Sequence, residues 1–361
     1  MSSPITIRLG ARARQRIAAE GVRAADVAIV PAAAGGPKGL ILHGLDCWMF
    51  GGWLQTAPRR RKLVGASIGA WRMAASAFDD PLAAHRRLAR LYAGQRFPAR
   101  VTPAYVSQAV RALLDELLAG RAAEPVRHAD HHLSVLTMRG VGPLARTNGQ
   151  RWREMAGFMR AAAGNALSRR RLAGSMERVV FHNRRDDADW LRRQFDAFNG
   201  HFVGLDEANL RAALLASGAI PLLLEPVSGI AGAPDGAYWD GGLIDYHLHL
   251  PYQREPGLVL YPHFNDYLVP GWLDKAMPWR RARAGAHNPA LDNVILVSPS
   301  ADFVARLPNG KLPDRKDLQF YGQDHAARNR DWTRAIAESV RLADAFARWC
   351  ERPDLAQAAA F

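Results

Sequence analysis

The chain has 361 residues, 48% of them hydrophobic, and carries a net charge of +14 at neutral pH. That size and apolar content predict one large domain, or one domain with a sizeable insertion, around a buried core. The positive charge suits nucleic acid, an anionic membrane surface or an acidic substrate, but lysine occurs only at positions 38, 62, 275, 311 and 316. The remainder is arginine in an alanine-rich chain, which reads equally well as codon bias, and no RNA- or DNA-binding module signature accompanies it; no nucleic-acid partner is expected.

Cys47 and Cys350 are the only cysteines, so no secreted-type disulfide framework is expected. The first residues carry Arg and Glu where a signal peptide needs an apolar core. No apolar run reaches the ~18 residues of a membrane span. A soluble, cytoplasmic protein is the expectation.

In chain order, residues 26–33 ("DVAIVPAA") read as a buried strand, followed by the glycine-rich turn "AGGPKG" and an apolar helix over 40–50. Residues 61–66 read as a second strand and 68–78 as a second helix. Two successive strand–turn–helix units predict an α/β fold with a parallel sheet. Residues 81–128 read as helical, with an amphipathic stretch at 104–120. Strands are expected at 132–138 and 178–183, separated by an Arg- and Gly-rich segment, 140–177, that reads as a mobile flap or cap. A helix over 206–221 ends at Gly218 and Pro221. Residues 236–245 read as strand then turn, 257–264 and 293–300 as strands, and 323–350 as one long closing helix. No internal repeat or low-complexity linker divides the chain.

Three stretches carry chemistry. Between a strand and a helix stands Gly65-Ala66-Ser67-Ile68-Gly69. G-x-S-x-G in that context describes a nucleophile elbow, its glycines relieving a crowded turn around Ser67; a tight turn with an incidental serine is the bland reading. The turn Gly35-Gly36-Pro37-Lys38-Gly39 opens a helix and leaves backbone N–H groups free for an anion. It lacks the Lys-Ser/Thr of a phosphate-binding P-loop and the acidic strand end of a dinucleotide site. An oxyanion hole built from N–H groups at Gly35, Gly36, Lys38 and Gly39 remains, Pro37 having no donor. Asp240-Gly241-Gly242 ends an apolar strand, and reads either as an ordinary turn or as the site of a functional carboxylate.

Taken in order, these stretches resemble the patatin-like phospholipases: a glycine-rich oxyanion loop ending in a basic residue and glycine, then G-x-S-x-G, then D-G-G/A. "ASGAIP" at 216–221 is similar to that family's A-S-x-A-x-P stretch, and the resemblance spans roughly 26–252. Ala33-Ala34 and Pro37 depart from the usual loop. The resemblance implies a three-layer α/β/α fold with a mostly parallel sheet. It implies a single domain with its core at about 26–252, an insertion at 81–177, and closing strands and helix over 253–361. It further implies a Ser67–Asp240 dyad without catalytic histidine, no cofactor, and a lipid or other ester as substrate; peripheral contact with an anionic membrane is one reading of the Arg- and aromatic-rich segments 151–171 and 269–284. A vestigial, non-enzymatic scaffold binding lipid or a protein is the alternative. A free aspartate is a weak base, so burial beside Tyr238 and Trp239 is expected to raise its pKa.

Histidines compete for roles. His128, Asp130, His131 and His132 are metal-ligand types, but crowded and consecutive, and no metal site is expected there. His247 and His249 follow Asp240 at alternating positions, as structural residues or as a triad histidine. Segments 151–171 and 269–284 mix Arg with Trp, Met or Phe, reading either as a lipid–water interface or as inward-packed rings beneath a solvated arginine face.

Overall fold

The computed structural model describes residues 3–145, 151–186, 188–283 and 288–361. Residues 146–150 of the predicted insertion, and residue 284 at the end of the second Arg/Trp segment, lie outside these. Ten strands form one sheet: β1 (Ile5–Leu9), β2 (Val27–Ala32), β3 (Arg61–Ala66), β4 (His131–Gly140), β5 (Met176–Asn183), β6 (Gly200–Leu205), β7 (Tyr238–Asp240), β8 (Leu258–Pro262), β9 (Val294–Pro299) and β10 (Ala359–Ala360). Their order is β10-β1-β9-β8-β2-β3-β4-β5-β6, with β7 beside β4. The run β9-β8-β2-β3-β4 is parallel throughout, and among the described strands the antiparallel pairs are β1–β9, β4–β5 and β4–β7. The fold is α/β with a mostly parallel sheet.

Side chains alternate between sheet faces along a strand. In β2, β8 and β9 every residue is buried, so both faces of the central sheet are covered. That is why these strands read as continuous apolar runs. The sheet's edges were less legible: β1, β6 and β10 have no counterpart in the sequence reading. β1 alternates buried and half-buried residues over only five positions, and β10 has two.

Two helical expectations change. The closing helix is two helices, His325–Glu338 and Val340–Glu351, broken at Ser339. There the Ser339 hydroxyl donates to the Ile336 carbonyl (2.5 Å) and accepts the Gly44 N–H (2.9 Å), where the helix His43–Gly51 comes up against it. A Cβ on Gly44 would collide with the Ser339 carbonyl oxygen. The second change concerns 140–177, read as a mobile flap or cap. Its described part is a short turn at Gly142–Leu144, a helix Arg151–Leu167 and a 3-10 segment Arg169–Gly174.

Buried hydrogen bonds tie this segment to the rest of the fold. Asp274, on the loop after Asp240, accepts from Asn165 (2.9 Å), Arg169 (2.9 Å) and Arg280 (2.8 Å), and its side chain is fully buried. Arg169 also donates to the Ile244 carbonyl at 2.6 Å. Arg280, read either at a lipid–water interface or on a solvated face, is instead an internal tie. Removing one partner of a buried ion pair strands the others without water. Asp274→Ala is expected to lower stability by about 3–5 kcal/mol, measurable by denaturant unfolding; a change within a few tenths would show that the anchor does not hold the segment.

Candidate active site

The β4 edge explains how residues 173 positions apart in sequence come to touch. β3 pairs with it up to Ala66↔Leu136. On the same edge, β7 takes over at the next residue, with Thr137↔Asp240. Ser67, one step past the end of β3, therefore arrives beside Asp240. Its hydroxyl donates to Asp240 Oδ2 at 2.7 Å, while the Gly242 N–H donates to Oδ1 at 2.7 Å.

Ser67 has φ 56° and ψ −132°, a backbone region that side chains rarely occupy. Such strain costs on the order of 1–3 kcal/mol and persists only where neighbours over-determine it. Ser217 supplies one constraint: its hydroxyl accepts the Ser67 N–H at 2.8 Å and donates to the Leu136 carbonyl at 2.7 Å. The motif glycines supply another. A Cβ on Gly69 would collide with the Ala32 carbonyl oxygen, and one on Gly65 would lie 2.5 Å from the Ala70 nitrogen. The helix Ile68–Ser76 that follows is fixed from behind by a buried bidentate pair, Arg72 to Asp46, with both bonds 2.7 Å.

Asp240 is 7% exposed and Ser67 4%. Burial raises the Asp240 carboxyl above its usual range; the Ser67 hydroxyl, the Arg315 guanidinium and the Gly242 N–H offset part of that. Tyr238 and Trp239, its expected neighbours, are fully buried. Five residues on, Asp245 is clamped by Arg178 on β5 through bonds of 2.7 and 2.8 Å, fixing the turn after Asp240.

The glycine-rich turn becomes a 3-10 helix, Gly36–Leu42, before the α-helix His43–Gly51. With i→i+3 bonding, the helix takes up N–H groups from Lys38 onward, leaving those of Gly35 and Gly36 ahead of it. Gly36 has φ 58°, a glycine conformation, and a Cβ there would lie 3.3 Å from Arg315 Nε. Of the two cavities that Ser67 lines, Gly35 and Lys38 line the larger and Gly36 the smaller. Gly39 packs against Ile68 and Arg72 instead. Gly241 and Gly242 are also tight: a Cβ on the first would strike the Leu136 carbonyl, and on the second would lie 2.7 Å from Ala34 Cβ.

Ser67 opens into both cavities. The larger, about 430 Å³, is lined by the apolar Phe158, Leu222, Leu243, Trp272 and Leu273 and by Lys38, Lys275, Arg315 and Lys316. The smaller, about 80 Å³, is walled by Trp71, Tyr92, Phe97, Val106, Val110 and Trp332. Together they place a serine hydroxyl hydrogen-bonded to a buried carboxylate at the junction of two cavities, with backbone N–H groups nearby, an arrangement able to support nucleophilic chemistry.

The histidines stand elsewhere. His247 is fully buried against Tyr246, His263 and Phe264, its Nδ1 accepting the Val269 N–H. His249 pairs with the Asn288 side chain. Neither lines a cavity with Ser67. His128 and His131 stack at 4.3 Å, His131 facing the Ser76 carbonyl and His132 the Ala129 carbonyl. Among the described residues no group of three His, Cys, Asp or Glu is placed to hold a metal ion.

Sequence reasoning missed Ser217 and Arg315. Ser217 lies in the "ASGAIP" stretch singled out above, which was the available signal; Arg315, 75 residues past Asp240, had none. The Ile68 N–H, in the first turn of its helix and so outside the intrahelical bonding, also went unremarked. No helix among the described residues is long and apolar enough to cross a membrane. A comparison with curated proteins gave no match. The patatin-like phospholipase family model matches residues 34–247, which contain the glycine-rich loop 35–39, Ser67 and Asp240, and the chain belongs to that family.

Proposed function

We propose that the protein is a serine hydrolase that cleaves lipid esters by acyl transfer through Ser67 and Asp240. The observation that carries this reading is the 2.7 Å Ser67–Asp240 hydrogen bond at the junction of two cavities. Ser67 Oγ attacks the acyl carbonyl carbon as its proton passes to Asp240 Oδ2. The oxygen turned anionic is held by N–H groups of the 35–36 turn and of Ile68. The C–O bond to the alcohol then breaks, and Asp240 returns the proton to the departing oxygen. Water attacks the acyl-serine with Asp240 again taking a proton, releasing the fatty acid and restoring Ser67.

The raised carboxyl of Asp240 suits this cycle, since a base is most effective when its pKa approaches the operating pH. A short-chain p-nitrophenyl ester should release a burst of nitrophenol equal to the enzyme concentration before steady turnover. No release above the uncatalysed rate would count against the reading.

A lipid surface as the source of substrate is favoured by a second observation. Trp152, Met155 and Met159 are exposed on one face of the helix Arg151–Leu167, whose Phe158 lines the larger cavity. Trp272, at the same cavity, is also exposed. Apolar rings and thioethers flanked by Arg153 and Arg160 fit a lipid–water boundary. Flotation with anionic vesicles should carry the protein, less so as salt rises, and Trp152→Gln with Met159→Gln should weaken it. Equal, salt-independent flotation with zwitterionic vesicles would contradict this.

A further inference from the structure

The family match ends at residue 247, yet the turn from Gly35 to Lys38 rests on a ring from beyond it. Phe264 follows the end of β8 and is 3% exposed. A Cβ on Gly35 would lie 2.4 Å from its Cε1 and 2.6 Å from its Cζ, so the ring edge fills the space a side chain would take. At the other end of the turn, Lys38 Nζ stands 5.4 Å from the ring centroid. One ring thereby meets both ends of the turn.

Behind Phe264 the rings continue. It stacks on His263 at 4.5 Å and meets His247 edge-on at 5.2 Å, and His247 stacks on Tyr246 at 4.3 Å. Both histidines are fully buried. Burial pushes His263 down to about 3 and His247 well below the ordinary histidine range, so the rings are neutral and pack without charge. His247 is pinned by the Val269 N–H on its Nδ1 (3.0 Å) and by the Tyr261 hydroxyl on its carbonyl (2.9 Å). Tyr246 closes the row: its carbonyl accepts the Ala34 N–H at 2.9 Å, and a Cβ on Gly242 would lie 3.4 Å from its Cδ2. The rings thus abut both the glycine-rich turn and the glycine whose N–H holds Asp240.

Gly35 and Gly36 have no side chains with which to fix their own turn, and in a close-packed interior a ring wedged against it passes on its position. We infer that Phe264, backed by His263 and His247, is a positioning residue that sets where the N–H groups of the 35–36 turn stand relative to Ser67 and Asp240. His247, which stands near Asp240 in sequence, then serves the site through packing and not through proton transfer. The catalytic consequence rests on the hydrolase reading above. Donors stabilise an oxyanion only when aimed at the place it will occupy, so a displaced turn costs rate and leaves ground-state binding in place.

The test uses Phe264→Leu, which takes the ring edge away from Gly35 and keeps an apolar side chain in the core. Phe346→Leu is the control, a similarly buried ring that stacks on Trp349 and lines neither cavity at Ser67. For a short-chain p-nitrophenyl ester, kcat should fall roughly ten- to a hundredfold in Phe264→Leu, with KM held within about twofold. A trifluoromethyl ketone of the same chain reads the turn directly. Ser67 Oγ adds to its carbonyl carbon, the serine proton passes to Asp240, and the carbonyl oxygen becomes the alkoxide. Affinity for it should fall by the same factor as kcat, while the parent methyl ketone, which binds without adding, should bind as before. Hydrogen exchange of the peptide over 34–42, read by mass spectrometry, should quicken in Phe264→Leu and not in Phe346→Leu. If exchange quickens in that way while the wild type hydrolyses no ester, the ring positions the turn and the hydrolase reading falls. Unchanged kcat and ketone affinity in Phe264→Leu, or equal losses in Phe346→Leu, overturn the positioning role and leave the hydrolase.

Discussion

Ser67→Ala is expected to lower kcat for a short-chain ester by about 10⁵–10⁶-fold, to within the assay background. The nucleophile has no substitute nearby, because the hydroxyl of Ser217 is held between the Ser67 N–H and the Leu136 carbonyl. The fold should survive. An alanine at position 67 keeps the backbone N–H that Ser217 accepts, and the turn remains held by Gly65 and Gly69. Unchanged circular dichroism with lost turnover is the expected pair of results. Retained turnover would remove Ser67 from the chemistry.

Asp240→Asn is expected to cost about 10⁴-fold in kcat, as for a base whose charge is removed with its geometry intact. The amide oxygen can still accept from the Gly242 N–H, and the amide nitrogen can face the Ser67 oxygen, so the site should stay assembled. Stability should move the other way. Because burial raises the Asp240 pKa in the folded chain, its contribution is fully present below the unfolded carboxyl pKa of ~3.9 and is lost as pH rises through the folded value. At neutral pH the wild type carries a buried carboxylate that the asparagine variant does not. The variant's Tm should therefore exceed the wild type's at pH 7, and the gap should shrink as the pH falls. Wild-type kcat/KM should itself rise with pH through a limb lying above the ordinary aspartate range. A Tm lower than wild type at pH 7, or a rate flat down to the ordinary range, would contradict a base tuned by burial.

How much was legible beforehand depended on how local the signal was. The strands 26–33 and 61–66, and the elbow between 65 and 69, are contiguous patterns, and β2, β3 and the strained Ser67 lie where those patterns place them. The closeness of Ser67 and Asp240 came only from ordered motifs resembling a family. Its physical cause, two strands sharing successive positions on one edge of β4, exists only once the sheet is built. The same holds for Ser217, whose hydroxyl finds its partners across the sheet, and for Arg315, brought over Gly36 by the C-terminal third of the chain. The long closing helix was over-read because Ser339 is a tolerable helix residue, and the break there follows from contact with Gly44, 295 residues away. His247 and His249 drew attention by proximity in sequence, but His247 turns into the core behind the site and His249 toward Asn288.

The central claim is that Ser67 is an activated nucleophile, and covalent capture tests it most directly. A fluorophosphonate probe incubated with the native protein should add one label, mapped by peptide mass spectrometry to Ser67, with labelling abolished in Ser67→Ala and strongly slowed in Asp240→Asn. An unlabelled native protein, or a label on any other residue that persists in Ser67→Ala, would contradict the account.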